Sequence, residues 1–326
     1  MSKLRVLSDL HIGAIRVSGT TGDSRLSIKA RLLSEFERLL PDSDLIINGD
    51  LFDACQIGNT DVLSTFYILA EWLKKGYKCW LSAGNHDLSR SSNILSSFDL
   101  LGALLKSISE NIVVVKTPTM TPHGYIIPHL PTQVEFDKAL ALVPECGTLY
   151  CHCNYSNFFA TQSDNSLNMS EDQAKTCRAT TIVIGHEHHK RVVGKVILPG
   201  NQVASSVSDW VASPEKFFYE DGVLISCAKR VEQFREVDWK HLDNTVTEDF
   251  VRVVGTANIE EATSVAASIA KFRGVSEALV VANAVSMGQC EDTGSMSLES
   301  VRAFDVFAAL GELLNAEEMQ VIRGLE

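Results

Sequence analysis

The sequence predicts an α/β protein whose sheet is mostly buried. Short apolar runs alternate along the chain with amphipathic segments, which is the pattern of strands joined by helices that cover a sheet. The chain has 326 residues, 45% of them apolar, so it can form one large domain or two ordinary ones around a substantial core. A peptide hormone, a fibrous repeat protein and a disordered tail are therefore excluded.

The first part of the chain contains the predicted elements of the larger domain. Apolar residues three and four positions apart predict one helix from Ile28 to Leu40 and another from Val62 to Leu73, for which Thr60 is the expected N-cap. The strands around these helices are predicted at Leu4–Leu7, Leu45–Ile47, Cys79–Leu81, Ile112–Val115, Thr148–Tyr150, Thr181–Ile184 and Val192–Leu198.

A second unit is predicted in residues 230–326, after a first domain of residues 1–229. An Asp-Gly turn between Phe217–Tyr219 and Val223–Ile225 predicts a hairpin, and Arg230–Val237 predicts a further strand. A small βαβ-like unit then follows, and two helical segments are expected at residues 298–314 and 316–325. The βαβ-like unit comprises strand Phe250–Val254, helix Ile259–Phe272 and strand Ala278–Val281.

Charge is unevenly distributed between these two parts. Residues 230–326 hold 17 acidic and 8 basic residues, whereas the whole chain holds 41 and 29. An acidic C-terminal part argues against general nucleic-acid binding there. It is consistent with binding to a protein partner or with a role in solubility. The first domain, which is close to neutral, can still carry a local basic face.

The cysteines indicate a reduced environment. All eight are scattered without a C-x-x-C pair, and several lie in apolar runs that we expect to be buried. The chain passes from Met1 directly into a strand, which leaves no room for a signal peptide, and no apolar run approaches the ~18 residues that span a bilayer. We therefore expect a cytoplasmic protein without membrane contact.

Residues of metal-binding types follow five of the predicted strands. In an open α/β sheet the carboxyl ends of the strands converge on one crevice, so clusters that are far apart in sequence can meet there. The clusters are Asp9-Leu10-His11, Gly49-Asp50-Leu51-Phe52-Asp53, Gly84-Asn85-His86-Asp87, His152, and Gly185-His186-Glu187-His188-His189.

The chemistry of these ligands favours two metal ions. Seven groups are too many for one tetrahedral ion and enough for two ions that share a bridging carboxylate. Oxygen and imidazole ligands without thiolate favour Mn²⁺, Fe or Zn²⁺, of which we expect Mn²⁺. Two such ions clamp a phosphoryl group and activate water, so the expected reaction is phosphoester hydrolysis. The groups are the carboxylates of Asp9 and Asp50, the amide of Asn85, and the imidazoles of His11, His152, His186 and His188.

His86 is the expected catalytic acid. It follows Asn85 directly and need not bind metal, and Asp87 is placed to hold it. A histidine beside a dinuclear centre can protonate the leaving oxygen, an effect of typically about 10²–10⁴ in rate. His129 has no partner pattern, so we expect a structural role for it, with a cleft-lining position in the loop before His152 as the alternative.

The order of these motifs resembles the calcineurin-like metallophosphoesterase superfamily. D-x-H, G-D-x-x-D, G-N-H-D, a lone His and G-H-x-H occur in this order between roughly residues 4 and 200, each after a strand. The resemblance implies a four-layer αββα sandwich with a small C-terminal α/β capping domain, in which Asp50 bridges two ions and His86 is catalytic. It implies that one ion is held by Asp9, His11, Asp50 and His188 and the other by Asp50, Asn85, His152 and His186.

Within the superfamily, the chain is most similar to the SbcD-type DNA exonucleases. Protein Ser/Thr phosphatases carry G-D-x-x-D-R-G and G-N-H-E, whereas here Ala54 follows Asp53 and Asp87 follows His86. G-D-L-F-D, G-N-H-D and the segment Leu198–Ser206 resemble the nuclease subunits of the bacterial SbcCD complex and their phage relatives. The resemblance implies a DNA repair or recombination exonuclease whose C-terminal region engages an SMC-like ATPase of the SbcC type.

The chain also departs from that group. Residues 54–59 lack the Pro-Ser usual there, Asn201 stands where Ser is expected, and the tail is short. These differences affect none of the expected ligands. They favour a compact viral or bacterial version without a long DNA-binding extension.

Two other functions stay open on the sequence alone. One is a phosphodiesterase or phosphatase that acts on nucleotides or small phosphoesters, and the other is a binding module whose metal centre is only structural. The sequence also leaves open whether DNA is cut from an end or internally and whether the chain forms a homodimer. Cations near the centre would favour DNA, and five are placed where a phosphate backbone could lie: Arg16, Arg25, Arg90, Lys190 and Arg191.

Overall fold

The fold is seen in a computed structural model. It describes residues 3–14, 22–89, 94–157, 166–205, 209–210, 213, 215–227, 234–243, 250–258, 260–275, 279–283 and 285–287. Side chains are described throughout these ranges except at residues 22–28, 274–275, 279–282 and 287.

Helices and strands alternate along the chain, as the sequence predicts. The helices are α1 (Gly22–Leu39), α2 (Asn59–Leu73), α3 (Ser97–Ile108), α4 (Gln133–Ala141), α5 (Glu171–Thr176) and α6 (Ala262–Val275). The strands are β1 (Leu4–Leu7), β2 (Asp44–Asn48), β3 (Cys79–Ser82), β4 (Ile112–Val115), β5 (Thr119–Thr121), β6 (Gly124–Ile127), β7 (Cys146–His152), β8 (Asn154–Tyr155), β9 (Asn168–Met169), β10 (Ala179–Gly185), β11 (Arg191–Val193), β12 (Val196–Leu198), β13 (Phe217–Glu220), β14 (Val223–Ser226), β15 (Phe234–Asp238), β16 (Phe250–Val254), β17 (Thr256–Ala257), β18 (Leu279–Asn283) and β19 (Ser286–Met287).

Strands between residues 4 and 226 form two six-stranded sheets. One has the order β14-β13-β1-β2-β3-β4, and the other has the order β11-β12-β10-β7-β6-β5. In the first sheet β1, β2, β3 and β4 run parallel, and in the second β12, β10, β7 and β6 do so. Antiparallel hairpins complete both sheets at their edges. Each parallel set therefore presents the carboxyl ends of its strands at one edge, which is where ligands bind in α/β proteins.

The two sheets pack face to face, and helices cover their outer faces. Ile46 and Trp80 of the first sheet form a buried layer with Tyr150 and Val183 of the second. The residues that alternate with these on the strands point outward and pack under helices, since successive strand side chains face opposite sides. Helices α1, α2 and α3 cover the first sheet and α4 and α5 cover the second. The predicted four-layer αββα sandwich is confirmed.

A smaller unit follows the sandwich. Strands β15, β16 and β18 form a parallel three-stranded sheet, and α6 lies between β16 and β18 in the chain. Val237, Trp239, Val253, Ile269 and Phe272 form its own buried cluster. The predicted βαβ arrangement is present, while the helical segments predicted at residues 298–314 and 316–325 lie outside the described residues. Among the helices that the structure describes, none combines the length and apolar character needed to cross a bilayer.

Two predicted details were wrong. Val192–Leu198, predicted as one strand, is the β11–β12 hairpin, because Gly194 takes a left-handed φ of 57° and turns the chain. Helix α2 begins one residue before Thr60, with Gly58 as its N-cap and no side-chain cap bond. The β5–β6 hairpin was not predicted from the sequence.

Replacement of Ile46 by alanine should lower the free energy of unfolding by about 2–5 kcal/mol, because it opens a cavity in the layer between the sheets. Val113→Ala is the matched control. Val113 pairs with Trp80, which pairs with Ile46, but its side chain lies at the edge of the layer and is 37% exposed, so we expect a loss below about 1 kcal/mol. Denaturant unfolding of both variants tests this packing, and equal losses would contradict it.

Candidate metal centre

The loops that follow β1 and β2 bind each other through their backbones. The N–H groups of Asp9 and Leu10 donate to the carbonyl oxygens of Gly49 and Asp50, at 3.1 and 2.9 Å. The N–H of Ile12 continues this ladder to the next loop residue. As a result, the first two predicted clusters lie side by side at the carboxyl edge of the first sheet.

One group of ligand atoms is formed by Asp9, His11 and His188. Their nearest ligand atoms all lie within 4.8 Å of one another. The two imidazole Nε2 atoms of His11 and His188 are 3.0 Å apart. Both carboxylate oxygens of Asp9 accept the backbone N–H of His186, at 2.9 and 3.1 Å, which ties the first sheet to the second.

A second group is formed by Asp50, His152 and His186, again with ligand atoms within 4.8 Å of one another. The amide oxygen of Asn85 lies 3.1 Å from His152 Nε2 and 3.0 Å from His186 Nδ1. Asp50 Oδ2 lies 3.2 Å from His152 Nε2. The structure thus brings all seven expected ligands together, although Asp50 is grouped only with His152 and His186, and His11 forms a further group with Asp53 and His86.

Asp50 also interacts with residues outside its own group. Its Oδ1 accepts the backbone N–H of His86 at 2.9 Å. Burial alone would raise the pKa of this carboxyl group, but the imidazoles of His152, His11 and His86 outweigh burial and hold the pKa well below its usual range. Asp50 is therefore a fixed, buried anion that interacts with members of both groups.

The donor set fits divalent cations. The Nδ1–H of His152 donates to the carbonyl oxygen of Asn48 at 2.9 Å, so Nε2 is the ring nitrogen that faces the oxygens of Asp50 and Asn85. A metal ion bound between these atoms would take the place of a proton on Nε2. Burial lowers the pKa of His152, but Asp50, Asp9 and the Asn48 carbonyl raise it to about 10, so a positive charge is favoured here. Electron-pair donors that converge in this way are the ligands expected for Mn²⁺, Fe or Zn²⁺.

His86 is held differently from the way the sequence indicated. Its Nδ1 lies 2.5 Å from the backbone carbonyl oxygen of Asp53, and its ring meets that of His11 edge to face at 5.0 Å. The buried carboxylate of Asp87 instead accepts the N–H groups of Gly84 and Phe52, at 2.9 and 3.0 Å. Asp87 therefore fixes the loops after β2 and β3, and its pKa is raised to about 7 by burial and by Asp50.

Sequence reasoning missed two carboxylates beside the histidines. Asp53 Oδ1 lies 3.3 Å from His11 Nδ1. Asp209 Oδ1 lies 3.0 Å from His188 Nδ1. Asp53 could have been found because it ends the G-D-x-x-D motif, whereas Asp209 belongs to no motif and is separated from His188 by 21 positions.

His129 is also close to the centre. Its backbone N–H donates to the carbonyl oxygen of Ala83 at 2.8 Å, directly after β3. Burial, followed by the influence of His152, lowers the pKa of His129 to about 4, so this imidazole is neutral at pH 7.

The backbone at four expected ligands is strained. The φ values are 53° at Asp9, 46° at His11, 51° at Asp50 and 95° at His186, in a region that residues other than glycine rarely adopt. Each such residue costs about 1–3 kcal/mol and persists only where its surroundings dictate the conformation. Strain of this kind is typical of functional sites.

Of the five expected DNA-contacting cations, the structure describes the side chains of Lys190 and Arg191. Lys190 Nζ lies 3.7 Å from the centre of the Phe217 ring. Arg191 Nη2 donates to the carbonyl oxygen of Tyr155 at 2.6 Å and forms an ion pair with Glu187 at 2.9 Å. Arg16 and Arg90 lie outside the described residues, and Arg25 is described only by its backbone in α1.

Two converging sets of imidazole and carboxylate ligands at the carboxyl edge of a four-layer sandwich are features of a metallohydrolase. Residues 2–190 match the sequence model of the family described as "Calcineurin-like phosphoesterase", and the chain belongs to this family. The family match confirms the expected superfamily and implies metal-dependent phosphoester hydrolysis.

Comparison with other known proteins adds little to the family match. No curated protein matches the chain. One solved structure matches with a TM-score of 0.38 and 12% sequence identity, and the match covers 69% of this chain and 98% of that one.

Replacement of Gly84 by alanine should disturb the metal centre. A Cβ atom there would lie 2.1 Å from Asp50 Oδ1 and 2.2 Å from the Asp50 backbone nitrogen, so the carboxylate has to move. We expect metal affinity to fall at least about 10-fold and stability by about 1–3 kcal/mol. Gly147→Ala, on β7 with no atom within 4 Å of its Cβ, should change neither. Metal titration and thermal unfolding of both variants test this, and unchanged metal binding in Gly84→Ala would contradict the placement of Asp50.

Proposed function

We propose that the protein hydrolyses phosphodiester bonds in DNA, as an exonuclease of the SbcD type. The observation that carries this proposal is the presence of two neighbouring ligand groups, one of which contains Asp50, with His86 bound to Asp50 through its backbone. When two divalent ions are bound there, they clamp the scissile phosphoryl group and activate a water molecule for attack. Asp9, His11 and His188 would hold one ion, Asn85, His152 and His186 the other, and Asp50 both.

His86 supplies the proton for the leaving oxygen. A carbonyl oxygen can only accept a hydrogen bond, so the contact with Asp53 keeps a hydrogen on His86 Nδ1. The opposite nitrogen, Nε2, is then the one that exchanges its proton with substrate. As the bond from phosphorus to the leaving oxygen breaks, Nε2 transfers a proton to that oxygen and His86 becomes neutral.

The motifs that the chain shares with the exonucleases favour DNA over other phosphoesters as the substrate. One of these motifs, the segment Leu198–Ser206, contacts residues of the metal centre. Gln202, within the segment Leu198–Ser206, accepts the backbone N–H of Ser8 at 2.6 Å, directly before Asp9. Ser205 of the same segment donates to Asp209 at 2.9 Å, and Asp209 contacts His188. The segment through which the chain resembles the exonucleases is thus built into the support of the expected ligands.

An SMC-like ATPase of the SbcC type, bound to the C-terminal region, is part of the same proposal. Its support is the resemblance and the acidic composition of residues 230–326. Hydrolysis of small phosphoesters is the second candidate. The observation that favours it is that Lys190 and Arg191, the two expected DNA contacts whose side chains the structure describes, are both engaged within the protein.

Purified protein with Mn²⁺ should degrade end-labelled double- or single-stranded DNA, and the activity should disappear with a chelator and in Asp50→Asn. Asp50→Asn should also lose metal binding, because the bridging negative charge is removed. A chromogenic phosphodiester is assayed in parallel, with and without an SbcC-type ATPase. Hydrolysis of the ester with DNA intact would replace DNA by a small phosphoester as substrate. Inactivity on both by metal-loaded protein with the ATPase present would contradict hydrolysis and favour a binding module.

His86→Ala should retain both metal ions and lose about 10²–10⁴ in kcat, because it removes the proton donor without removing a ligand. Metal content and steady-state kinetics on the chromogenic ester measure the two effects separately. His241→Ala, an exposed histidine of the smaller unit, should change neither quantity. Full activity of His86→Ala would refute the assigned role.

A further inference from the structure

The segment that follows G-H-x-H brings a carboxylate to one expected metal ligand. Asp209 Oδ1 lies 3.0 Å from Nδ1 of His188, and the other ring nitrogen of His188 faces His11 Nε2 at 3.0 Å. A carboxylate at this distance keeps the proton of a neutral imidazole on Nδ1, so the lone pair stays on Nε2. The ring of His188 is thereby held with its free nitrogen toward Asp9 and His11.

Asp209 is itself held by a buried polar network. Its Oδ2 accepts the hydroxyl of Ser205 at 2.9 Å and the amide of Asn201 at 3.4 Å. Lys216 Nζ donates to Asn201 Oδ1 at 2.6 Å and to the backbone carbonyl oxygen of Asp209 at 3.2 Å. Asn201 and Ser205 are fully buried and Lys216 is 7% exposed. Lys216 thus holds the backbone of Asp209 and the side chain of Asn201, while the Asp209 carboxylate itself is 12% exposed.

The residue next to Asp209 anchors this network to the protein core. Trp210 packs against the core under the first sheet, and its ring centre lies 6.3 Å from that of Phe234 in β15. The position of Asp209 is therefore fixed on one side by hydrogen bonds and on the other by apolar packing. A carboxylate fixed in this way can set the orientation of an imidazole instead of following it.

We propose that Asp209 is a positioning residue for His188, which sets the tautomer, orientation and basicity of this ligand for the ion held by Asp9, His11 and His188. The inference rests on the proposed function in that it requires a metal ion at this group. It concerns metal affinity, however, and not the substrate. A partner of this kind beside a metal-bound histidine typically contributes 10–100-fold to metal affinity.

The histidines of the two ligand groups have different hydrogen-bond partners, so removal of Asp209 should weaken the binding of only one ion. His152, in the second group, donates its Nδ1–H to the neutral carbonyl oxygen of Asn48, whereas His188 contacts a charged carboxylate. Loss of Asp209 should therefore weaken the ion held by His188 and leave the ion at Asp50, His152 and His186 in place.

The chain offers a matched control in the pair of His123 and Asp44. Their Nε2 and Oδ2 atoms are 3.1 Å apart, with side chains 7% and 14% exposed. Asp44 begins β2, at the end of the strand opposite to the metal centre. Asp44→Asn thus replaces the carboxylate of a similar histidine–carboxylate contact by an amide, as Asp209→Asn does, without touching an expected ligand.

The test is titration of the chelator-treated full chain with Mn²⁺, followed by calorimetry and by the Mn²⁺ electron paramagnetic resonance signal. Asp209→Ala should weaken one of two binding steps about 10–100-fold and leave the other within about twofold. Asp209→Asn, whose amide oxygen can still accept from His188, should lie between Asp209→Ala and the wild type. Asp44→Asn should bind both ions like the wild type, even if its melting temperature falls.

Three outcomes would overturn the inference: unchanged affinity in Asp209→Ala, equal weakening of both steps, or equal weakening in Asp44→Asn. If Asp209→Ala does not fold, Asp209→Asn and Ser205→Ala carry the test, since each retains most of the network and should weaken the same step by a smaller factor. Failure of the proposed function has a different signature. A wild type that binds two ions, loses one selectively in Asp209→Ala and hydrolyses neither DNA nor the chromogenic ester would refute hydrolysis and leave the role of Asp209 intact.

Discussion

The buried negative charge of Asp50 has to be matched by cations, and much of the centre follows from this constraint. The residue is 1% exposed, and burial of an unmatched carboxylate costs several kcal/mol. Imidazoles from the loops after β1 and β3 and from β7 offset this cost. Asp50 lies close to these imidazoles only because the loops around it pack tightly. A Cβ atom at Gly84 would overlap with Asp50, and one at Gly49 would overlap with His152. The glycines of G-D and G-N-H-D are therefore required by contact distance.

The strained ligand loops are sustained by alternation of ligands with core residues. After β1 the polar side chains of Asp9 and His11 alternate with Leu10 and Ile12, which are 1% and 0% exposed and belong to the core under the first sheet. Each ligand is thus flanked by an apolar side chain that cannot move without opening a cavity. The backbone after β1 therefore has to direct a ligand into the centre at one residue and bury an apolar side chain at the next. The left-handed φ values of Asp9 and His11 follow from these two requirements.

The sequence predicted the α/β class and the convergence of the ligands because both depend on local pattern and on the direction of parallel strands, whereas the sandwich and the division of the ligands into two sets were implied by the resemblance to the superfamily. It did not predict the contacts between distant loops. Asp87 was expected to hold His86 as its neighbour, but that contact is made by the backbone of Asp53, which no side-chain pattern can reveal. Asp209 reaches His188 only through the packing of a segment without a motif. Val192–Leu198 was mistaken for one strand because its apolar residues flank a turn whose glycine was not taken into account.

The pair of His123 and Asp44 shows why a histidine–carboxylate contact does not by itself make a metal ligand. Its geometry is close to that of His188 and Asp209, at 3.1 against 3.0 Å. Among the described residues, however, no third metal-binding side chain joins it, and the ring of His123 packs against Trp80. The pair lies where β2 begins, whereas the loops that deliver ligands from both sheets follow the ends of parallel strands. The direction of the strands therefore decides which of two similar pairs supports a metal ion and which only ties one sheet to the other.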